Sequence, residues 1–341
     1  MIRCSVVGAT GYTGAELIHI LDKHPHVKIA HLTTRSDEKI KASSLVPTLS
    51  KANDYLIEKK SLKEIARDSD VVFLALPHTS AMEVARDLLK QQKIVIDLSA
   101  DFRLKSIKVY EQWYGAKHTQ SVLLRQAVYG LPEVYRLRIR EANLIANPGC
   151  YPTGVILGLY PLIREKLINF DSIISDSKSG VSGAGKKFTL ATHFSEANEN
   201  FNAYKVNKHQ HMPEIEQTLR DIANHAELHF TFVPHLLPLM RGILSTIYVK
   251  KRNGVKAAEI IQVFKKYYDS EPFVRFRGEG FFPSLRDVQH TNFCDIGVSV
   301  ESKTDQVIVI SAIDNLLKGA SGQAVQNMNI RCGFAEESGL L

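Results

Sequence analysis

The sequence predicts an α/β protein of two domains, in which a doubly wound parallel sheet is followed by an α+β domain with a mostly antiparallel sheet. The length of 341 residues exceeds what one hydrophobic core usually serves. Strand and helix patterns alternate over residues 1–100, whereas long strand candidates dominate from about Ser172 onward. We therefore expect a first domain at 1–149, joined by a returning C-terminal segment at 314–341, and a second domain at 150–313.

The elements of the first domain are predicted from apolar runs and helix-capping residues. A helix over 13–23 has its apolar residues at helical core spacing. Ser61 with Glu64, and Ser80 with Glu83, are typical of capping boxes and predict the starts of two further helices. Apolar runs predict buried strands at 2–7, 27–33, 71–76 and 94–98.

The second domain has longer strand candidates and fewer helices, which favours an antiparallel sheet with helices on one face. Helices are predicted at 213–225 and 257–268. A last helix at about 321–331 follows Asp314-Asn315 and is expected to return to the first domain. Strands are predicted at 173–177, 229–233, 243–250, 295–301 and 306–313.

Composition and charge argue against several classes of protein. The formal net charge is +7, but the basic residues occur in scattered pairs and triplets, with no sustained basic helix face that would favour nucleic acid. No apolar run approaches the roughly 20 residues that span a bilayer. The first residues enter a strand directly, so we expect a cytoplasmic location without a signal peptide. A mild positive balance suits anionic small-molecule ligands.

A glycine-rich turn follows the first predicted strand. The segment GATGYTG at 8–14 leads directly into the first helix, where a dinucleotide pyrophosphate docks on helix N-terminal amides. Its GxxGxxG spacing matches the GxGxxG pattern less well, yet its position after a buried strand indicates a Rossmann-type site. The alternative is an ordinary glycine turn. The residues expected to bind the cofactor are Gly8, Thr10, Gly11, Tyr12, Thr13 and Gly14.

The end of the second predicted strand indicates which dinucleotide binds. An NAD site usually places Asp or Glu there to bond the ribose 2′-hydroxyl. This chain has Thr33-Thr34-Arg35-Ser36 instead. Arg35 can attract a 2′-phosphate and Ser36 can donate to it, so the sequence predicts NADP. The alternative is that Arg35 is only a solvated loop charge.

Cys150 differs from the other three cysteines in its setting. Four scattered cysteines without a CxxC pair argue against a disulfide framework and a structural zinc site. Cys150 lies in the segment ANPGCYPT, between an apolar stretch at 144–146 and a helical run at about 153–167. A helix N-terminus lowers a thiol pKa, and its amides can receive an oxyanion. We therefore expect Cys150 to be a nucleophile.

A thiolate nucleophile needs a proton carrier, and two histidines precede the helix predicted at 213–225. We expect His211 to be the acid/base, because Glu214 follows it by three residues and can reach its ring. His209 is then left to contact a substrate carboxylate. The sequence leaves open which histidine is the acid/base, and both also fit a pair of surface histidines beside a helix cap. The His-x-His spacing matches no known catalytic zinc motif, so we expect no metal.

Together, the segments GATGYTG, ANPGCYPT, HxHxPEI and DNLLKGASGQAVQNMN resemble the N-acetyl-gamma-glutamyl-phosphate reductase family of arginine biosynthesis. The resemblance covers essentially the whole chain. It implies that NADPH reduces N-acetyl-glutamyl 5-phosphate to the semialdehyde and phosphate through a thioester on Cys150, with His211 as acid/base. It also implies that Asn315 lies near the cofactor and that Arg103 holds the substrate's phosphate or carboxylate. We expect a homodimer or homotetramer. One departure is Ser321, where an alanine is commoner.

Two other interpretations remain open. A related enzyme, such as aspartate-semialdehyde dehydrogenase or an aminoadipate-pathway reductase, would share the catalytic residue types and differ only in substrate contacts. A more remote alternative is a regulator that senses NADP and binds nucleic acid without turnover. A cysteine at a helix N-terminus has no use in such a regulator, so the sequence favours an enzyme.

Overall fold

The computed structural model describes residues 1–49, 53–301 and 303–341, and it contains two compact units. The first unit joins Met1–Pro148 to Ala320–Leu341, and the second unit is Gly149–Gly319. The segment 314–319, predicted to return to the first domain, therefore lies in the second unit. The predicted α/β fold class is confirmed.

The first unit is built on an eight-stranded sheet with the order β3-β4-β2-β1-β5-β6-β8-β7. The strands are β1 Ile2–Val7, β2 Val27–Thr33, β3 Ile40–Lys41, β4 Leu56–Glu58, β5 Val71–Leu74, β6 Ile94–Asp97, β7 Val128–Tyr129 and β8 Leu144–Ala146. Neighbours are parallel except β3 with β4. Because β1 is central and the order reverses beside it, the carboxyl ends of β1 and β5 open a crevice, as in other doubly wound sheets.

Among the described residues, six α-helices of the first unit precede the second unit. They are α1 Tyr12–Lys23, α2 Leu62–Asp68, α3 Met82–Lys90, α4 Ile107–Tyr114, α5 Ser121–Gln126 and α6 Pro132–Glu141. The capping box predicted at the start of α2 is present: Glu64 N–H donates to Ser61 Oγ (3.3 Å), and Ser61 N–H donates to Glu64 Oε2 (2.9 Å).

The capping box predicted for α3 is wrong. The N-cap of α3 is Ala81, and no side chain caps it there. Asp101, from the loop after β6, accepts hydrogen bonds from Thr79 N–H (2.7 Å) and Ala81 N–H (2.9 Å). A carboxylate distant in sequence therefore binds the main chain of the turn that leads into α3.

The second unit is built on a seven-stranded sheet with the order β10-β11-β9-β12-β15-β14-β13. Its strands are β9 Ile173–Gly180, β10 Asn202–Ala203, β11 Phe230–Leu237, β12 Ile243–Lys250, β13 Val274–Glu279, β14 Cys294–Glu301 and β15 Gln306–Ile313. Four pairs are antiparallel, and β9 with β11 and β13 with β14 are parallel. The sheet is thus mostly antiparallel, as predicted.

The helices of the second unit include a long one that packs closely on this sheet. They are α7 Cys150–Arg164, α8 Phe194–Ala197, α9 Met212–Ile222 and α10 Ala257–Tyr268. A Cβ at Gly158 of α7 would lie 2.9 Å from Ile247 Cδ1, and one at Gly154 would lie 3.1 Å from Ser311 Oγ. These glycines let α7 approach the sheet and so set the position of Cys150.

The chain then returns to the first unit with α11 Ser321–Cys332. Its residues from Ser321 to Ile330 are all buried, including several amides. In the part of the chain that the structure describes, no helix combines the length and apolar character needed to cross a bilayer.

Candidate active site

The glycine turn of the first unit has a geometry that excludes side chains. Gly8 has φ +91°, in the left-handed region, and a Cβ added there would lie 2.4 Å from the carbonyl oxygen of Ala75, just past β5. A Cβ at Gly14 would lie 2.4 Å from the carbonyl oxygen of Ala9. The turn therefore comes close to the adjacent strand end, and α1 comes close to the turn.

The start of α1 is arranged to receive an anion. α1 begins at Tyr12, and its N-cap is Gly11, which has no side chain to occupy the cap. The first amides of an α-helix point out of its N-terminal end and carry partial positive charge, and in α1 they belong to Tyr12, Thr13 and Gly14. Among the described residues, a Cβ at Gly11 would meet nothing within 4 Å, which leaves room beside the turn that contains Thr10. This arrangement fits a pyrophosphate.

Arg35 and Ser36 follow β2 and are both exposed. Ser36 N–H donates to Thr34 Oγ1 (3.2 Å), and Ser36 Oγ accepts from Glu38 N–H (3.2 Å), so the chain turns directly after the strand. Arg35 thus lies two residues beyond the carboxyl end of β2, the region that binds the ribose 2′ position in dinucleotide sites of this type. The NADP contacts of both residues stay predictions.

Arg103 lies in the loop after β6 and is 5% exposed. Its Nε donates to the Asn147 carbonyl (2.7 Å) and its Nη2 to the Leu98 carbonyl (2.7 Å). The guanidinium therefore links the main chain just after β6 to the main chain just after β8. Asn147, its partner after β8, lies three residues before Cys150 in the sequence. Its contact with substrate stays a prediction.

Two buried carboxylates fix the loop that carries Arg103. Asp97 accepts from Ser99 N–H (2.9 Å) and Ser99 O–H (2.8 Å), and Asp101 accepts from Tyr110 O–H (2.8 Å). Burial, together with the nearby Asp101, raises the pKa of Asp97 to about 7. The raised pKa favours the uncharged form of this buried carboxyl.

A buried amide pair, not singled out from the sequence, fixes the segment that leads to Cys150. Asn327 Nδ2 donates to Asn147 Oδ1 (3.0 Å) and to the Gly130 carbonyl (2.8 Å). Asn147 Nδ2 donates to the Ala320 carbonyl (3.0 Å). The only signal in the sequence is that these asparagines lie in the ANPGCYPT and QNMN segments.

In the second unit, Cys150 is the first residue of α7, and Gly149 is its N-cap. The thiol is reduced and partly exposed. A Cβ at Gly319 would lie 2.8 Å from Cys150 Cβ, so the two ends of this unit meet beside the thiol. The helix start is therefore a setting that favours a thiolate.

His211 and Glu214, at the start of α9, both contact the residue before Cys150. A Cβ at Gly149 would lie 2.6 Å from His211 Nε2, so the ring packs directly on this glycine. Glu214 is 1% exposed, and its Oε1 accepts from Gly149 N–H (2.8 Å). The structure thus brings Cys150, His211 and Glu214 to one place, with the carboxylate holding the N-cap of α7. Their catalytic roles stay predictions.

His209 is 9% exposed, in contrast to the partly exposed His211. Its Nδ1 accepts from His211 N–H (3.1 Å), and its Nε2 faces Tyr204 Oη (3.5 Å). Burial, and secondarily the charge of Lys205, lower the pKa of His209 to about 4. Its contact with a substrate carboxylate stays a prediction, although a neutral ring enclosed by protein groups suits a role within the protein. Within 1–49, 53–301 and 303–341, no His, Cys, Asp or Glu cluster is arranged to hold a metal.

Asn315 joins two loops of the second unit. Its Oδ1 accepts from Gly242 N–H (2.7 Å), and its Nδ2 donates to Ser182 Oγ (2.9 Å). The neighbouring Arg241, a buried cation that was not singled out from the sequence, lies 3.6 Å from the buried Asp314. The cofactor contact implied for Asn315 stays a prediction.

Two family models and several solved structures match the chain. The model described as semialdehyde dehydrogenase, NAD binding domain, matches residues 3–142, and that described as semialdehyde dehydrogenase, dimerisation domain, matches 150–315. Aspartate semialdehyde dehydrogenase II from Vibrio cholerae, complexed with ASA, aligns with a TM-score of 0.73 and 18% identity over 98% of both chains. Aspartate semialdehyde dehydrogenase with NADP from Candida albicans aligns with a TM-score of 0.72 and 17% identity over 97% of this chain and 98% of that one. At these identities, the likeness shows a shared fold.

Curated relatives are much more similar in sequence. N-acetyl-gamma-glutamyl-phosphate reductase of Pelotomaculum thermopropionicum is 54% identical over 99% of this chain and 97% of the relative. The enzyme of the same name from Citrifermentans bemidjiense is 51% identical over 100% of this chain and 98% of the relative. This chain belongs to the N-acetyl-gamma-glutamyl-phosphate reductase family of semialdehyde dehydrogenases.

Proposed function

We propose that this protein uses NADPH to reduce N-acetyl-glutamyl 5-phosphate to N-acetyl-glutamate 5-semialdehyde and phosphate, a step of arginine biosynthesis. Beyond family membership, one juxtaposition carries the proposal: Cys150 opens α7, and the His211 ring packs on the preceding Gly149. A partly exposed thiol at a helix start, with an imidazole beside it, suits a cysteine nucleophile and its proton carrier.

Cys150 acts first in the proposed mechanism. Its thiolate, stabilised by the α7 N-terminus and by a His211 imidazolium, attacks the carbonyl carbon of the acyl phosphate. A C–S bond forms as the C–O bond to phosphate breaks, which releases phosphate and leaves a thioester. The first amides of α7 receive the charge that develops on the carbonyl oxygen. Reduction of the thioester, with a proton from the His211 imidazolium, gives a thiohemiacetal. As the C–S bond breaks, the hydroxyl proton returns to His211, which releases the aldehyde and restores the Cys150 thiolate beside a His211 imidazolium.

The residues of the first unit fit the cofactor that this reaction needs. The Gly8 turn and the N-terminus of α1 suit the pyrophosphate, and the exposed Arg35 and Ser36 suit the 2′-phosphate. Asn315 is proposed as a further contact. When bound, NADPH supplies the hydride that reduces the thioester.

Substrate binding needs cations, because the substrate carries a phosphate and a carboxylate. Arg103 stays our proposal for one of these contacts. It is a fixed cation on the Asn147 main chain, close in sequence to Cys150. The net charge of +7 suits the same polyanionic substrate.

We also propose a homodimer or homotetramer in the cytoplasm. One face of the second unit's sheet is covered by α7, while the alternate residues on the other face are partly buried or, at Ile174, exposed. This second face carries large apolar side chains that suit a second copy of the chain. A catalytic thiol and NADPH both suit a reducing compartment. The apolar side chains are Ile174, Leu244, Tyr248, Ile308 and Ile310.

The direct test of function is the reverse reaction. With N-acetyl-glutamate semialdehyde, we expect NADP reduction that depends on added phosphate. With aspartate semialdehyde, we expect kcat/KM to be at least about 100-fold lower, because a site built for the acetylated substrate leaves polar groups unpaired when the substrate has no acetyl group. Comparable or higher activity with aspartate or aminoadipate semialdehyde would assign the protein to that related enzyme instead. A salt-dependent gel shift without any reductase activity would support a regulator.

Arg35 is expected to set the preference for NADPH over NADH. Arg35→Ala removes a charge-assisted contact worth about 1.5–3 kcal/mol, so the ratio of kcat/KM values for NADPH and NADH should fall roughly 10- to 100-fold. Arg140→Ala, at an exposed arginine of α6, is the matched control and should leave the ratio unchanged. Equal use of NADH by the wild type would contradict the assignment.

A further inference from the structure

His209 is enclosed by four aromatic rings of the second unit. The ring centroids of Tyr151, Tyr204, Phe232 and His211 lie 5.3, 5.6, 5.6 and 4.8 Å from that of His209. Tyr151 is 2% exposed and Phe232 is 0% exposed. This aromatic cage, formed by the four rings, shields His209 from water and so favours its neutral form.

Hydrogen bonds inside the aromatic cage determine which nitrogen of His209 carries the proton. A backbone N–H can only donate, so the bond from His211 N–H to His209 Nδ1 (3.1 Å) requires an unprotonated Nδ1. The ring proton is then on Nε2, which faces Tyr204 Oη. The Tyr204 and Tyr151 hydroxyls are 3.1 Å apart, and Tyr151 O–H donates to the His235 carbonyl (3.1 Å). The donors therefore run in one direction, from Nε2–H to that carbonyl.

Hydrogen bonds hold the backbone on both sides of His209. Asn207 N–H donates to the Phe232 carbonyl (3.0 Å), and Asn207 Oδ1 accepts from Phe232 N–H (3.1 Å). The His209 carbonyl accepts from Met212 N–H (2.9 Å), while its ring accepts from His211 N–H. His209 is thus the link between a loop anchored on β11 and the start of α9.

We propose that His209 is a positioning residue, whose Nδ1 holds the His211 backbone so that the His211 ring stays on Gly149, beside Cys150. The inference rests on the roles proposed above for Cys150 and His211. The two tyrosine hydroxyls support it by keeping the ring proton on Nε2. His209 then acts through His211, and this role replaces the substrate contact predicted from the sequence.

Two substitutions of His209 test the hydrogen-bond acceptor at Nδ1 separately from the size of the ring. His209→Leu removes the acceptor, whereas His209→Asn can place its amide oxygen where Nδ1 lies. We expect His209→Leu to lower kcat at least about tenfold with KM for the acyl substrate within about twofold, because a displaced catalytic group slows chemistry without weakening binding. His209→Asn should recover most of kcat. His229→Leu, at an exposed histidine of the same unit, is the matched control and should match wild type.

A measurement without substrate separates this inference from the proposed function. The rate of Cys150 alkylation is measured from pH 5 to 9. Titratable groups that lie near His209 are His211, Lys205, Tyr204 and Tyr151. Reactivity at low pH should be lost in His209→Leu and retained in His209→Asn. If the wild type does not reduce the proposed acyl substrate but the variants show these alkylation profiles, then the proposed function is wrong and the positioning role of His209 is supported.

Several outcomes would overturn the positioning role. One is a raised KM with unchanged kcat in both variants, which would make His209 a substrate contact. Another is a wild-type kcat and alkylation profile in His209→Leu. If that variant does not fold, nitrogen-15 NMR of wild type still decides, because a proton on His209 Nδ1 at pH 6 contradicts the bond to His211 N–H.

Discussion

Replacing Cys150 by serine is expected to lower turnover more than about 10³-fold while leaving NADP binding intact. A serine hydroxyl at the start of α7 stays protonated and is a much poorer nucleophile than a thiolate, so the thioester cannot form. The residues proposed to hold the pyrophosphate and the 2′-phosphate belong to the first unit, whereas Cys150 belongs to the second. Steady-state kinetics and calorimetric titration with NADP measure the two effects separately.

Alkylation of the wild type tests the same assignment by another route. Iodoacetate should inactivate the protein through Cys150 alone, because burial raises the pKa of Cys332 to about 11 and also raises the pKa of Cys4, so both thiols stay protonated at neutral pH. Cys332→Ser is the matched control, since Cys332 is also partly exposed, and it should keep wild-type activity and sensitivity. Turnover in Cys150→Ser would exclude Cys150 as nucleophile. Protection from iodoacetate only after removal of Cys4, Cys294 or Cys332 would exclude it equally.

The second large effect is expected at His211. His211→Asn should lower kcat roughly 10²- to 10⁴-fold, the usual range for a positioned acid/base, with a smaller effect on the KM of the acyl substrate. The reason is that the amide neither carries the positive charge that pairs with the Cys150 thiolate nor moves a proton. The pH dependence of Cys150 alkylation should shift accordingly, with the reactive thiolate lost at low pH.

A histidine elsewhere on the second unit supplies the control for this substitution. His225 is exposed and has φ +64°, a conformation that asparagine adopts readily, so His225→Asn should match wild type. If His211→Asn keeps the wild-type alkylation profile while His209→Asn loses it, then the two histidines have been assigned the wrong way round.

Local patterns predicted much of the fold. The bounds predicted for α10, β12 and β15 match the structure, because each element has a strong apolar period of its own. The capping box at Ser61 needed only residues close in sequence. The one predicted at Ser80 is wrong, and Asp101, which the fold brings close, instead accepts from Thr79 N–H and Ala81 N–H in the same turn. Strand β13 was missed, since charged residues alternate along it and hide its apolar side.

The candidate site shows the same division between local and distant information. The sequence around Cys150 predicted a helix start, and the structure has one. No local pattern distinguishes His209 from His211, because the difference comes from Phe232, which lies on β11 and helps to bury His209. The bond from Gly149 N–H to Glu214 likewise depends on α7 and α9 lying together, which the sequence alone does not show.

The path of the chain through the two units bears on the order in which they form during synthesis. The first unit is interrupted, because α11 is separated from Met1–Pro148 by the whole of Gly149–Gly319. Closing a loop of that length while it is still unfolded costs roughly 4–5 kcal/mol in chain entropy. The folded second unit removes most of this cost, since its two ends meet where Gly319 packs on Cys150. We therefore expect the second unit to fold first on the ribosome and to hold the two segments of the first unit close together. In that order α7, which carries Cys150, is folded before α11 packs into the first unit.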